Sequence, residues 1–158
     1  MTEQDTFFMT RAIELAKMGV EMNLGGPFGC VVAKNGVIVG EGNNQVTSTN
    51  DPTAHAEVIA IREACKTLGS FQLEGCTIYT SCEPCPMCLG AIYWARPERV
   101  FFACTRDDAA AIGFDDDFIY DELEKANEER EMVLLNLMRD EALETFQKWA
   151  AKPDKVAY

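Results

Sequence analysis

One histidine and one Cys-x-x-Cys most narrow what this chain can become. His55, the only histidine in the 158 residues, lies in Thr53-Ala54-His55-Ala56-Glu57, and the cysteines lie in Pro84-Cys85-Pro86-Met87-Cys88. One imidazole and two thiolates make a zinc ligand set. Three ligands on a tetrahedral ion leave one position open, and an open position separates a catalytic zinc from a structural one. Any fold for this sequence must bring the two stretches together.

The order of elements predicts how. Asp5 to Met22 has Phe8, Ala12, Leu15, Ala16, Gly19 and Met22 at helical spacing, so an amphipathic helix is expected. Two β-rich runs, Phe28 to Ala33 and Val37 to Glu41, flank Asn35-Gly36, a strong hairpin signal. A polar loop from Asn43 leads to Asp51-Pro52-Thr53, where Asp51 or Thr53 is expected to cap a helix running to about Leu68. Cys76 to Thr80 reads as a strand, Glu83 or Pro84 to Trp94 as a helix, and Arg99 to Cys104 as a strand. That alternation predicts parallel βαβ units with right-handed crossovers joined to an antiparallel hairpin. In such sheets ligands bind beyond the carboxyl ends of the strands, where both ligand stretches begin helices.

The remainder is less regular. From Asp115 to Glu131 there are nine acids and two bases, the pattern of a solvated face or loop, interrupted by Phe118, Ile119 and Tyr120. Met132 to Met138 reads as a last strand, and Glu141 to Ala151 as a helix burying Leu143, Phe146 and Trp149. No repeat or linker divides the chain, so residues 1–158 are expected to form one domain. No apolar run approaches a membrane span, and the acidic start is unlike a secretory signal; the expectation is a cytoplasmic protein without a membrane partner. Seven cysteines argue for a reducing compartment, with Cys30, Cys65, Cys76 and Cys104 as core residues. A net charge of −12 speaks against nucleic acid as the partner and for a small substrate.

Glu57 gives the ligand set its chemistry. Zinc lowers the pKa of a bound water to about 7, and a hydrolysis at an amidine-like carbon also needs a group that takes and returns protons. Glu57, two residues from His55, is placed for that role. Cys82 leaves an alternative open: as a fourth ligand it would close the site and make the metal structural. Cys82, Cys85 and Cys88 also repeat like an iron–sulfur run, but position 92, where a fourth cysteine would fall, is Ile92.

These motifs resemble those of the cytidine deaminase superfamily and, within it, the bacterial guanine deaminases. The resemblance runs through Asn50-Asp51-Pro52-Thr53-Ala54-His55-Ala56-Glu57, through Thr80 to Pro97 with its Ser81-Cys82-Glu83 opening, through Gly113-Phe114-Asp115-Asp116, and to the terminal Tyr158. It implies a cytidine deaminase-like three-layer α/β/α sandwich on a five-stranded mixed sheet. It also implies a homodimer that exchanges its C-terminal segment, about residues 130–158, and one Zn2+ per subunit on His55, Cys85 and Cys88. The implied reaction is hydrolytic deamination of guanine to xanthine and ammonia, a step of purine catabolism, with Glu57 as proton shuttle and Asp116 assisting at the amine. The implied base contacts are Asn44, Ala56, Asp116 and, from the partner chain, Tyr158, with Phe28 and Trp94 as aromatic walls. Other amine-bearing substrates stand as alternatives: ammeline, cytosine or adenosine in tRNA. So does a zinc-stabilised binding module without turnover.

Overall fold

The structure is a computed structural model and describes residues 1–114 and 116–158. Asp115, part of the resemblance above, lies outside the described residues. The chain forms two compact units, Met1–Asp116 and Asp117–Tyr158.

The first unit opens with α1 (Glu3–Glu21), which begins in a capping box: the Thr2 hydroxyl accepts from the Asp5 N–H and the Asp5 carboxylate accepts from the Thr2 N–H. A hairpin follows, β1 (Gly29–Lys34) and β2 (Val37–Asn43), turned at Asn35 and Gly36, both with positive φ. A single turn, α2 (Val46–Thr49), leads to α3 (Ala56–Leu68); then come β3 (Cys76–Cys82), α4 (Pro86–Ala95), β4 (Arg99–Cys104) and the short α5 (Arg106–Ala110).

The strands form one mixed sheet in the order β2-β1-β3-β4. The β1 strand is antiparallel to both β2 and β3, while β3 and β4 are parallel. Alternation along β1 and β3 divides the core. Val31, Ala33 and Tyr79 face α1 with Phe8, Ala12 and Leu15. Cys30, Val32, Cys76 and Ile78 face Ala56, Ala60 and Ala64 of α3 and Ile92 and Ala95 of α4. Helices on both faces make this unit a three-layer α/β/α arrangement.

One close approach sets the position of the site. A Cβ on Gly40 would lie 2.4 Å from the Ala60 carbonyl oxygen, and one on Gly42 would lie 2.3 Å from that of Ala56. With glycines on the strand and fully buried alanines on the helix, α3 lies directly on β2. The first turn of α3 is thereby fixed over the carboxyl end of β2. Register brings the rest to the same end: Gly29 pairs with Asn43, Cys30 with Thr80, and Cys82 with Cys104.

The second unit contains α6 (Asp117–Glu124) and α7 (Arg139–Ala151). Here the structure departs from the expectations. The acidic stretch carries a helix. Residues 132–138 form no strand, so the sheet has four strands among the described residues, where five are expected. A strand needs a neighbour's free edge to satisfy its N–H and C=O groups, and sequence cannot say whether that edge is available. On α7, Phe146 and Trp149 are exposed, so the helix buries no aromatic side chain of its own. Of the cysteines expected in the core, Cys30 and Cys76 are buried, Cys65 is half-buried, and Cys104 is exposed at the end of the edge strand β4.

Candidate active site

The carboxyl ends of β2 and β3, the start of β1 and the first turns of α3 and α4 surround a cavity of about 440 Å³. Phe28, Asn44, His55, Glu57, Cys82, Cys85, Phe114 and Asp116 are among the residues lining it, all from the first unit.

The ligand stretches are at the helix starts in a specific way. His55 is the N-cap of α3, with extended backbone, and Cys85 is the N-cap of α4, with Pro86 as its first residue. The expected cap at Asp51 or Thr53 is therefore wrong: the Asp51 carboxylate instead accepts from the Thr53 N–H and hydroxyl, closing a local turn ahead of the helix. His55 Nδ1 lies 3.5 Å from Cys85 Sγ and 3.5 Å from Cys88 Sγ. Bond lengths for zinc to imidazole nitrogen and to thiolate sulfur, set at the tetrahedral angle, give an N···S edge of about 3.6 Å. The three donor atoms all lie within 4.8 Å of one another. Donor chemistry and spacing both fit zinc, and Cys82 is not in this cluster: its Sγ contacts the Thr105 carbonyl at 3.5 Å.

Proton affinities at the cluster follow from its geometry. The Cys85 thiol is held well below the ordinary range, first by the hydrogen bond from Cys88 and then by that with His55, while the same bond pushes Cys88 up. His55 is pushed up chiefly by its hydrogen bond with Cys85. A lowered Cys85 beside a raised Cys88 favours one thiolate in the pair, and a bound zinc would hold both sulfurs deprotonated.

Glu57 is buried, and burial is the main cause of its raised pKa. Two donors hold its carboxylate: Thr80 Oγ1 donates to Oε1 at 3.2 Å, and Cys88 Sγ donates to Oε2 at 3.3 Å. A carboxylate with a raised pKa that faces a cavity beside a metal site can gain and lose a proton during turnover.

The family model of the cytidine and deoxycytidylate deaminase zinc-binding region matches residues 2–104. The chain belongs to that family. Its relatives narrow the comparison. Guanine deaminase of Bacillus subtilis (strain 168) is 56% identical over 151 residues, 96% of this chain and 97% of that protein. The tRNA-specific adenosine deaminase of the same organism is 43% identical over 99 residues, 63% of this chain and 61% of that one. The X-ray structure of guanine deaminase from Bacillus subtilis superposes with a TM-score of 0.95 at 54% identity, covering all of this chain and 99% of that one. Within this deaminase family His55, Cys85 and Cys88 fit the zinc site.

The remaining expected residues are placed unequally. Phe28, Asn44 and Asp116 line the cavity. Ala56 is wholly buried in the core under α3, so a ligand would meet only its main chain. Trp94 lies on α4, is 64% exposed, and is not among the residues lining the cavity in the single chain. Tyr158 ends the second unit and is exposed. Beside Phe28 in the cavity wall stands Phe114, whose ring meets it edge-on at 4.9 Å and 85°. The sequence gives no local signal for Phe114 in this role, since its neighbour Phe28 is 86 residues away in the chain. Sequence reasoning missed Thr80; the alternation of β3 puts position 80 on the same face as Ile78, toward α3, and that signal was available.

Proposed function

We propose that the chain is a zinc-dependent guanine deaminase that hydrolyses guanine to xanthine and ammonia. The observation that carries the reading is the coincidence, in one cavity, of the His55–Cys85–Cys88 donor set with buried Glu57 held by Thr80. The likeness to guanine deaminase over nearly the full length supports guanine as the base. Zinc at this site supplies a water acidic enough to act as nucleophile at neutral pH and a positive charge for the transition state. Glu57 accepts the proton of the attacking water, delivers one to the adjacent ring nitrogen, and then serves the departing amine as the C–N bond at carbon 2 breaks. The second proton leaves with the amine, so water and guanine account for xanthine and ammonia. Phe28 and Phe114 together give a flat ring an apolar wall, Asn44 meets a polar edge, and Asp116 accepts from a ring N–H or the amine.

The reading includes a cytoplasmic homodimer that exchanges residues from about 130 onward. Three features support it. Leu134, Leu135, Leu137, Met138 and Phe146 are exposed in the single chain, β4 has a free edge with Phe102 exposed, and the cysteines are free thiols. Among the described residues, no helix is long and apolar enough to cross a membrane. In the exchanged dimer Tyr158 of one subunit reaches the site of the other.

The test is ammonia release from guanine, adenine, cytosine, cytidine, ammeline and a tRNA anticodon stem-loop. Guanine is expected to turn over fastest. Faster release from any other member would reject guanine as the substrate, and no release from a zinc-loaded protein would favour a binding module.

A further inference from the structure

Asn44 is held by its own main chain more tightly than a surface amide needs. Its backbone N–H donates to the Phe28 carbonyl at 3.0 Å. Its side-chain Oδ1 accepts from two backbone amides, Gly26 N–H at 3.2 Å and Val46 N–H at 3.2 Å. Both lone pairs of that oxygen are thereby used. The side chain is 5% exposed and lines the cavity, and Nδ2 is the end left to face it. The amide orientation is not arbitrary, because two N–H donors can be met only by the oxygen.

Gly25, one residue outside the cavity wall, makes this arrangement possible. A Cβ there would lie 2.2 Å from Asn44 Oδ1, 2.6 Å from the Asn44 carbonyl oxygen and 2.9 Å from its carbon. Gly25 is not among the glycines with positive φ, so no backbone conformation demands glycine. What demands it is the approach of Asn44.

We infer that Gly25 is a positioning residue for Asn44, locking its amide so that only N–H donors enter the cavity, and that this edge of the site selects a ring bearing an acceptor there. The acceptor is a carbonyl oxygen or an unprotonated ring nitrogen, and a ring presenting an N–H at that edge is rejected. The inference deepens the guanine deaminase reading and rests on it. An asparagine amide by itself offers both a donor and an acceptor; here the two backbone amides take the acceptor.

A double-mutant cycle tests this. Kinetics with guanine and calorimetric binding of the guanine analogue 8-azaguanine are measured for wild type, Gly25→Ala, Asn44→Ala and the double variant, with zinc content and melting temperature as controls. Gly25→Ala is expected to raise KM and Kd about tenfold with kcat changed less than twofold, and to add clearly less in the Asn44→Ala background, where the clash with Oδ1 is gone and only that with the main chain remains. Full additivity, or a loss of kcat at unchanged KM, would overturn it. Asn44→Asp keeps an oxygen for the two amides but puts a second oxygen where Nδ2 was. It is expected to bind 8-azaguanine at least as poorly as Asn44→Ala; better binding would show that the site wants an acceptor and would refute the donor assignment. A wild-type protein that neither binds the analogue nor deaminates guanine would instead reject the function reading. The positioning claim is then decided by a crystal structure of Gly25→Ala, which must show Asn44 Oδ1 detached from at least one of the two amides.

Discussion

Replacing Thr80 by valine removes one hydroxyl and keeps the shape of the side chain. Thr80 is 1% exposed and Glu57 is 5% exposed, so no water stands ready to replace the bond from Thr80 Oγ1 to Glu57 Oε1. Burial already raises the Glu57 pKa, and hydrogen bonds to the carboxylate oppose that shift. A hydrogen bond to a charged group contributes about 1.5–3 kcal/mol, and at 3.2 Å the lower end applies, about 1.5 kcal/mol. That is close to a factor of ten in the population of the carboxylate. On the acid side of the pH profile, where the carboxylate form limits the rate, kcat/KM for guanine should therefore fall about tenfold. At higher pH, where Glu57 is ionised in both proteins, the two rates should converge. Thr80→Ser should restore the wild-type profile, and zinc content should not change. Superimposable wild-type and Thr80→Val profiles at equal zinc occupancy would refute the claim that Thr80 tunes Glu57.

Three further outcomes are expected. Zinc loading should release protons, because Cys88 and His55 are pushed up in the metal-free site; affinity should fall as pH falls, and calorimetric heats that do not depend on buffer ionisation enthalpy would contradict this. Gly42→Ala should destabilise the protein by roughly 3 kcal/mol, read by urea unfolding, since its methyl would meet the Ala56 carbonyl at 2.3 Å, and a wild-type midpoint would refute the close packing of β2 on α3. Mixing a chain lacking Tyr158 with Glu57→Gln chains should restore turnover that neither gives alone, as hybrid dimers form; no restoration would place the tyrosine in its own subunit or outside the site.

Much of the first unit was legible because its signals are local. Asn35-Gly36 set the hairpin, the apolar period of residues 5–22 set one helix, and the Asp51-Pro52-Thr53 start signal set another that ends at Leu68. The strand-helix-strand order of residues 76–104 then put both ligand stretches at one end of the sheet. Helix starts were less legible: His55 and Cys85 are N-caps with no side-chain cap bond, which propensity does not anticipate because their side chains are turned to the metal site. The cavity wall depends on long-range placement, so Phe114 beside Phe28 was not legible. Asn44 was legible as a polar residue at a strand end but not as a locked donor, since its partners Gly26 and Val46 come from either side of it in the chain. Past Asp116 the apolar residues at 132–138 and on α7 are exposed in the single chain, so their pattern alone could not decide what they pack against.

The most direct measurement is steady-state turnover of guanine by Glu57→Gln with zinc determined on the same sample. Glutamine matches the carboxylate in size but cannot carry the proton from water to ring nitrogen. Turnover is expected to fall by at least about 10²–10⁴-fold at one zinc per chain. Near-normal turnover with zinc in place would contradict the assignment of Glu57 as the proton carrier.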